Sequence, residues 1–179
     1  SGLPAGLGEV LQLAQPGDAS REPQPLPSPW ALGHALHEAR LTVAFFGEFE
    51  PNAEGGVVHP FGSDARDEQA VSTLFQHIEQ EIAPLEVVVF NIGANVRFPI
   101  RETTSRVYFK VWEMGCFAGF LMGREVAKVM VPRGRGTILY TGATASVRGS
   151  VGFSAFSGAK HALRALAQSM ARELGPEGI

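Results

Sequence analysis

Residues 136–179 read GTILYTGATASVRGSVGFSAFSGAKHALRALAQSMARELGPEGI, and they carry the clearest secondary-structure pattern of the chain. Its first part, Thr137–Tyr140, is a short apolar and β-rich run between glycine-containing segments, which predicts a buried strand. A loop rich in Gly, Ser and Thr follows from 141 to 152. From 153 to 174, apolar residues recur at steps of three and four, which is typical of an amphipathic helix. Gly175 and Pro176 are expected to end that helix, since glycine suits a left-handed C-cap and proline cannot continue it.

A polar loop that leaves a strand and enters a helix is where open α/β sheets carry their sites, so the loop 141–152 is the expected site region. Apolar strands and amphipathic helices alternate along the rest of the chain, which predicts an α/β fold with a parallel sheet. Strands are predicted at 41–46, 57–61 and 87–90, and helices at 31–40, 67–82 and from Thr103 or Thr104 to Met130. Ser63 or Asp64 is expected to cap the helix at 67–82.

Composition argues against several classes of function. The formal net charge is −3 and the pI is about 5.9, so nothing attracts the chain to nucleic acid or to an acidic membrane surface. There is no run of about eighteen apolar residues, so no membrane span is predicted. The single cysteine, Cys116, cannot form an internal disulfide, and with no targeting signal visible we expect a cytoplasmic protein. The histidines lack the spacing of metal ligands, so no metal is expected.

The N-terminal segment differs in composition from the rest of the chain. Residues 2–8 are rich in glycine, and residues 16–29 read PGDASREPQPLPSP. Closely spaced prolines exclude an interior helix or a central strand, and they favour an extended linker. We therefore expect residues 1–30 to be a Gly/Pro-rich, partly disordered segment and residues 31–179 to form the folded domain.

The spacing around Lys160 resembles the short-chain dehydrogenase/reductase family, whose hallmark is Tyr-x-x-x-Lys with a Ser thirteen residues before the Tyr. Here Phe156 occupies the Tyr position and Ala143 the Ser position, and Gly115 or its neighbour Cys116 occupies the position of the catalytic Asn. The resemblance implies that Lys160 alone survives from the catalytic set. A phenyl ring has no titratable proton and a methyl group cannot donate to an oxyanion, so ordinary carbonyl–alcohol chemistry is not expected.

The resemblance also implies a nicotinamide cofactor site. Its expected residues are Gly2, Gly6, Gly8, Glu48, Asp64, Asn91, Gly93, Ala94 and Lys160. The first three match the glycine spacing of the family's pyrophosphate loop, although no strand precedes them as the motif requires. Glu48 favours NAD over NADP. Pro16–Pro29 interrupts the place of the helix that follows this loop, so we expect binding of NAD or NADP to be weak or absent.

The resemblance covers residues 41–179 and implies a Rossmann-like doubly wound sheet. Two parts of the family pattern are missing: the helix after the second strand, for which 49–56 is too short, and the C-terminal part that covers the substrate. The chain is therefore expected to be a shortened form, and the sequence leaves open a natural isoform, a processed form or a fragment.

Three functions remain open from the sequence. The first is a degenerate member of the family that acts by binding or self-association, as a homo-oligomer formed through the helices near 103–130 and 153–174. The second is an NAD(P)-dependent oxidoreductase with altered chemistry that relies on Lys160. The third is a vestigial product without specific activity.

Overall fold

The computed structural model of the chain describes residues 44–46 and 59–179. Several sequence predictions lie outside these residues. They are the glycine loop at Gly2, Gly6 and Gly8, the boundary at residue 30, the helix at 31–40, Glu48, and the missing helix after the second strand.

Four short strands pair in parallel. Strands β1 (Ala44–Phe46) and β2 (His59–Phe61) form one pair, and β3 (Val87–Phe90) and β4 (Thr137–Tyr140) form the other. In the second pair Val87 lies opposite Thr137. The predicted bounds of β3 and β4 are confirmed. The described parts of β1 and β2 lie within the predicted strands, and residues 41–43 and 57–58 lie outside the described residues.

The first helix, α1 (Glu68–His77), continues as a π turn over Ile78–Ile82. Its N-cap is Asp67, whose side chain accepts a hydrogen bond from the Ala70 N–H at 2.9 Å. The prediction that Ser63 or Asp64 caps this helix is wrong, because the helix begins later. The Asp64 carboxylate instead accepts from the Arg66 side chain at 2.8 Å.

The second helical run has three parts: α2 (Ser105–Trp112), a π turn (Glu113–Phe117) and α3 (Ala118–Met130). Thr104 caps it by accepting from the Val107 N–H. The predicted helix from Thr103 or Thr104 to Met130 is thus confirmed, and the π turn is an addition that sequence periodicity did not indicate.

The last helix, α4 (Ser154–Leu174), follows the loop after β4 and ends in a short 3-10 turn, Gly175–Glu177. Gly175 has φ of −55° and is right-handed, so its predicted left-handed C-cap is wrong. Gly178 takes the left-handed conformation instead, with φ of 87°. No helix in the described part of the chain is both long and apolar enough to cross a membrane.

Three glycines spaced four apart bring α3 and the π turn close to α4. A Cβ atom added at Gly115 would lie 3.0 Å from the Ala159 Cβ, and one added at Gly119 would lie 2.7 Å from Leu163 Cδ1. One added at Gly123 would meet the Tyr140 hydroxyl and Met170. These contacts place Gly115 beside the residue that precedes Lys160.

The main core lies between α1, β3, α3 and α4, and its least exposed members include Leu121, Val126, Met130 and Leu163. A smaller cluster joins α2 to α4 through Val111, Ala155 and Ala159, with Phe156 packed against it. The smaller cluster therefore fixes the start of α4, which is where the site-region loop ends.

Glu125 is a buried carboxylate between α3 and α1, only 4% exposed. It accepts hydrogen bonds from Lys128 at 2.8 Å, from Arg124 at 3.0 Å and from the Ser72 hydroxyl at 3.3 Å. Burial acts to raise the pKa of this carboxyl, but the hydrogen bonds from Lys128 and Arg124 outweigh it and lower the pKa.

Glu125→Gln is expected to lower the free energy of unfolding at pH 7 by about 1–3 kcal/mol, because it removes the buried charged acceptor of the hydrogen bonds from Lys128, Arg124 and Ser72. Since the folded pKa is lowered, the contribution is present above the unfolded pKa of about 4.3 and is lost as pH falls through the folded value. Urea unfolding of both proteins at pH 7 and pH 3.5 measures the difference. A difference that stays constant with pH contradicts the assignment.

Candidate functional site

Lys160 on α4 lies at the centre of the candidate site. Its Nζ donates to the Thr141 carbonyl at 2.9 Å and to the Ile92 carbonyl at 3.2 Å. Those carbonyls belong to the loops that leave β4 and β3, so one side chain ties both strand ends to the helix. The side chain is only 3% exposed.

The buried position of Lys160 affects the pKa of its amine. Burial lowers the pKa of its amine, since a low dielectric disfavours the ammonium form. An ammonium group has three donors, and the two backbone carbonyls occupy two of them. One donor remains for a ligand.

Phe156 stands one helical turn before Lys160 on the same face of α4. It is half-buried and packs against the cluster of Val111, Ala155 and Ala159. Its ring contributes apolar surface to the site and has no proton to exchange. The prediction that Phe156 takes the Tyr position implies an aromatic ring there with a hydrogen atom in place of the hydroxyl.

Ala143 lies in the exposed loop after β4. Its N–H donates to the Ser146 Oγ at 3.0 Å, and this bond closes the 3-10 turn Thr144–Ser146. Ser146 is buried, and its hydroxyl supports the turn. Two further hydroxyls near Phe156, those of Ser154 and Ser157, have buried Oγ atoms without a hydrogen-bond partner in the described part of the chain.

Gly115, the predicted counterpart of the family's Asn, lies in the π turn and is buried against Ala159. A side chain there requires α4 to shift by a few tenths of an ångström, since the Cβ separation is 3.0 Å. The neighbouring Cys116 is also buried, and burial raises the pKa of its thiol. A protonated thiol is a poor nucleophile, which agrees with a core role for Cys116.

Neither tyrosine bonds to Lys160. The Tyr140 hydroxyl donates to the Gly119 carbonyl at 3.3 Å and contacts Met170 Sδ at 3.1 Å, and burial raises the pKa of this phenol. Tyr108 is exposed, and its hydroxyl lies over Gly158. The two remaining phenols thus do not stand in for the missing one at position 156.

Of the predicted cofactor residues, the structure brings Asn91, Gly93 and Ala94 near Lys160, because they flank the Ile92 carbonyl that the amine contacts. A Cβ at Gly93 would meet nothing within 4 Å, so the backbone there is open to a ligand. Asp64 follows β2, and no contact joins it to Lys160. Arg66 holds its carboxylate, and this hydrogen bond lowers the pKa of Asp64.

The nicotinamide dinucleotide that the family resemblance implies fits some of these residues better than others. The free donor of Lys160 and the open backbone at Gly93 fit the ribose next to the nicotinamide. Asp64 is less suited to the adenine, since Arg66 already occupies its oxygens. When bound, the nicotinamide would supply or accept a hydride, while Lys160 would hold its ribose.

The structure also joins the two loops that border the site. The Phe98 N–H donates to the Gly152 carbonyl at 2.9 Å, and Arg97 packs over Gly152 and Phe153. Arg97 was not among the residues predicted from the sequence. The one sequence feature that could have drawn attention to this contact is Gly152, just before α4. Among residues 44–46 and 59–179, no group of three or more potential metal ligands converges.

Comparison with known proteins identifies relatives across most of the chain. The family model described as short chain dehydrogenase matches residues 43–179. A crystal structure of a short-chain dehydrogenase from Rhodopseudomonas palustris is 47% identical with a TM-score of 0.67, and the match covers 85% of this chain and 66% of that one.

Curated relatives carry varied names. Gluconate 5-dehydrogenase of Gluconobacter oxydans (strain 621H) is 28% identical over 65% of this chain and 45% of its own length. Zerumbone synthase of Zingiber zerumbet is 29% identical over 70% of this chain and 48% of its own length. The chain thus spans about half the length of the curated relatives that it matches.

Proposed function

Since the chain belongs to the short-chain dehydrogenase family, we propose that it is a member that acts through ligand binding or self-association, without ordinary carbonyl–alcohol chemistry. The observation that carries the proposal is the pair Phe156 and Ala143 at the Tyr and Ser positions, beside a Lys160 that is still buried and hydrogen-bonded. A positioned general acid is worth roughly 10²–10⁴ in rate, and this chain has none there.

A second candidate is an oxidoreductase with altered chemistry that relies on Lys160. One observation favours it: burial lowers the pKa of the amine, which brings it closer to the range where an amine exchanges protons. Against it, the side chain is 3% exposed and two carbonyls hold its nitrogen.

One solved structure of similar fold, a gluconate 5-dehydrogenase from Burkholderia cenocepacia, is a complex with NADP, and we expect this chain to bind NAD or NADP weakly or not at all. The supporting observations are the pairing of Asp64 with Arg66 and the proline-rich stretch after the glycine loop. Titration with NADH and NADPH, followed by nicotinamide fluorescence, measures the affinity, and millimolar or weaker dissociation constants are expected. Saturation at micromolar cofactor, lost in Lys160→Met, would instead favour the second candidate.

Self-association is proposed through the two long helices. Phe109, Trp112, Phe117 and Phe120 form a row of stacked rings along α2, the π turn and α3, with centroids 6.0–6.2 Å apart. Phe109 is 59% exposed and Phe120 is 39% exposed. Exposed aromatic rows of this kind are typical of protein interfaces.

Phe109→Ser combined with Phe120→Ser is expected to weaken the homo-oligomer at least about tenfold, because buried interface aromatics commonly contribute more than 1 kcal/mol. Sedimentation velocity over a range of concentrations measures the change. Val147→Ser, at an exposed apolar residue outside these helices, is the matched control and should leave association unchanged. A protein that is monomeric at every concentration, or equal effects of both variants, contradicts the interface.

A further inference from the structure

Arg97 is held where the two site-border loops meet, which are residues 91–104 after β3 and 141–153 after β4. Gly152 adopts φ of 83°, in the left-handed region that favours glycine. A Cβ there would lie 3.0 Å from Arg97 Cγ, so the arginine stem packs directly on the glycine backbone. The hydrogen bond from the Phe98 N–H to the Gly152 carbonyl fixes this arrangement.

The guanidinium of Arg97 is held in place but forms no ion pair with a described residue. Its Cζ lies 6.0 Å from the centroid of the Phe153 ring, within range of a cation–π contact. No described carboxylate lies within 4.0 Å of it, whereas four other arginines are each paired with an acid. Those are Arg66, Arg124, Arg133 and Arg135. The Arg97 side chain is exposed, so its fork of five donors is open to solvent at the edge of the site.

The surroundings of Arg97 combine positive charge with apolar surface. The two loops contain three arginines and one glutamate, which gives a net charge of +2 in a chain whose net charge is −3. Next to Arg97 and Gly152 stand Phe98 and Val151, which are 40% and 89% exposed. These two residues supply apolar surface, and a guanidinium forms charge-assisted hydrogen bonds that are roughly twice as strong as neutral ones.

We infer that Arg97 is a specificity-determining residue that binds the carboxylate of the site's ligand, a small organic acid with an apolar body. The guanidinium fork matches a carboxylate in a bidentate pair. Phe153 holds the fork from one side, and Phe98 and Val151 contact the apolar body. The inference rests on the proposed function in one respect: the site binds a ligand whether or not it performs chemistry on it.

The test compares matched probes by isothermal titration, with and without millimolar NADH. Hexanoate carries the acid and the apolar body, 1-hexanol lacks the acid, and gluconate lacks the apolar body. Hexanoate is expected to bind saturably and at least about tenfold more tightly than either of the others, since a hydrogen bond to a charged group is worth this factor or more.

Arg97→Gln is expected to weaken hexanoate binding about tenfold or more, and Arg97→Lys is expected to be intermediate because it keeps the charge without the fork. Arg101→Gln removes the same charge from the same loop and serves as the control, with an expected change under about twofold. If Arg97 only straps the loops together, Arg97→Gln lowers the melting temperature and leaves hexanoate affinity unchanged.

That last result overturns the inference, as does equal binding of hexanoate and 1-hexanol, equal effects of Arg97→Gln and Arg101→Gln, or no hexanoate binding under either condition. A different result would contradict the proposed function. Turnover by the unaltered chain would refute the non-catalytic proposal while Arg97-dependent acid binding stands.

Discussion

Phe156→Tyr combined with Ala143→Ser is expected to raise the rate of carbonyl reduction about 10²-fold or more above that of the unaltered chain, at millimolar NADH or NADPH. A phenol at position 156 lies one helical turn from Lys160, with the two Cβ atoms about 5–6 Å apart. The nearby ammonium lowers the pKa of that phenol, and proton transfer from a positioned acid is worth roughly 10²–10⁴.

The second substitution adds a donor for the oxygen that gains charge. The Ala143 backbone is already fixed by its N–H bond to the Ser146 Oγ, so a hydroxyl added there has a defined starting position. Removing one oxyanion donor in other enzymes costs about 10²–10³, and Phe156→Tyr alone is therefore expected to recover only part of the gain.

The measurement is cofactor oxidation with a panel of aldehydes and ketones, and two controls sharpen it. Adding Lys160→Met to the double variant should abolish the gain, because the phenol loses its neighbouring charge. Phe156→Leu should leave the baseline unchanged. An inactive double variant that nevertheless binds cofactor would show that more than side-chain chemistry is missing, and Gly115 in the Asn position is the next residue to examine.

Local sequence patterns predicted the bounds of the strands that have clear boundary residues at both ends. The bounds of β3 and β4 were predictable because an apolar run of four residues stands between polar or glycine-containing segments. The helix cap was not, since Ser63, Asp64 and Asp67 are all good cap residues and the chain geometry selects one. Apolar residues continue at steps of three and four through this run, so periodicity did not indicate the π turn Glu113–Phe117.

In the candidate site too, some features could be predicted from local sequence patterns and others could not. Motif spacing along one loop and one helix indicated Ala143, Phe156 and Lys160 as candidate residues, and their roles stay a prediction. The contact between Lys160 and the Ile92 carbonyl joins residues 68 apart in the chain, and the contact between Arg97 and Gly152 joins two different loops. Such contacts depend on how the strands and helices pack, which a single sequence does not encode in any local pattern.

The close approach of α3 and α4 leads to a second large effect, on stability. Leu163→Ala is expected to lower the free energy of unfolding by about 2–5 kcal/mol, because it empties a site that is 1% exposed. Gly119→Ala alone places its Cβ 2.7 Å from Leu163 Cδ1 and 3.3 Å from the Phe90 ring. Overpacking of this kind costs about 1–3 kcal/mol, which outweighs a gain in helix propensity of up to about 1 kcal/mol.

The two substitutions are expected to compensate each other. In the Leu163→Ala background the Cδ1 atom is gone, so the new methyl group enters the cavity and Gly119→Ala becomes stabilising by about 1 kcal/mol. A double-mutant cycle by urea unfolding should give a coupling of at least about 1 kcal/mol. Gly175→Ala, where a Cβ would meet nothing within 4 Å, is the control and should be neutral in both backgrounds. Strict additivity would mean that α4 moves away from Gly119 at little cost in free energy. The glycines at 115, 119 and 123 would then not set the distance at which α4 holds Lys160 over the two loops.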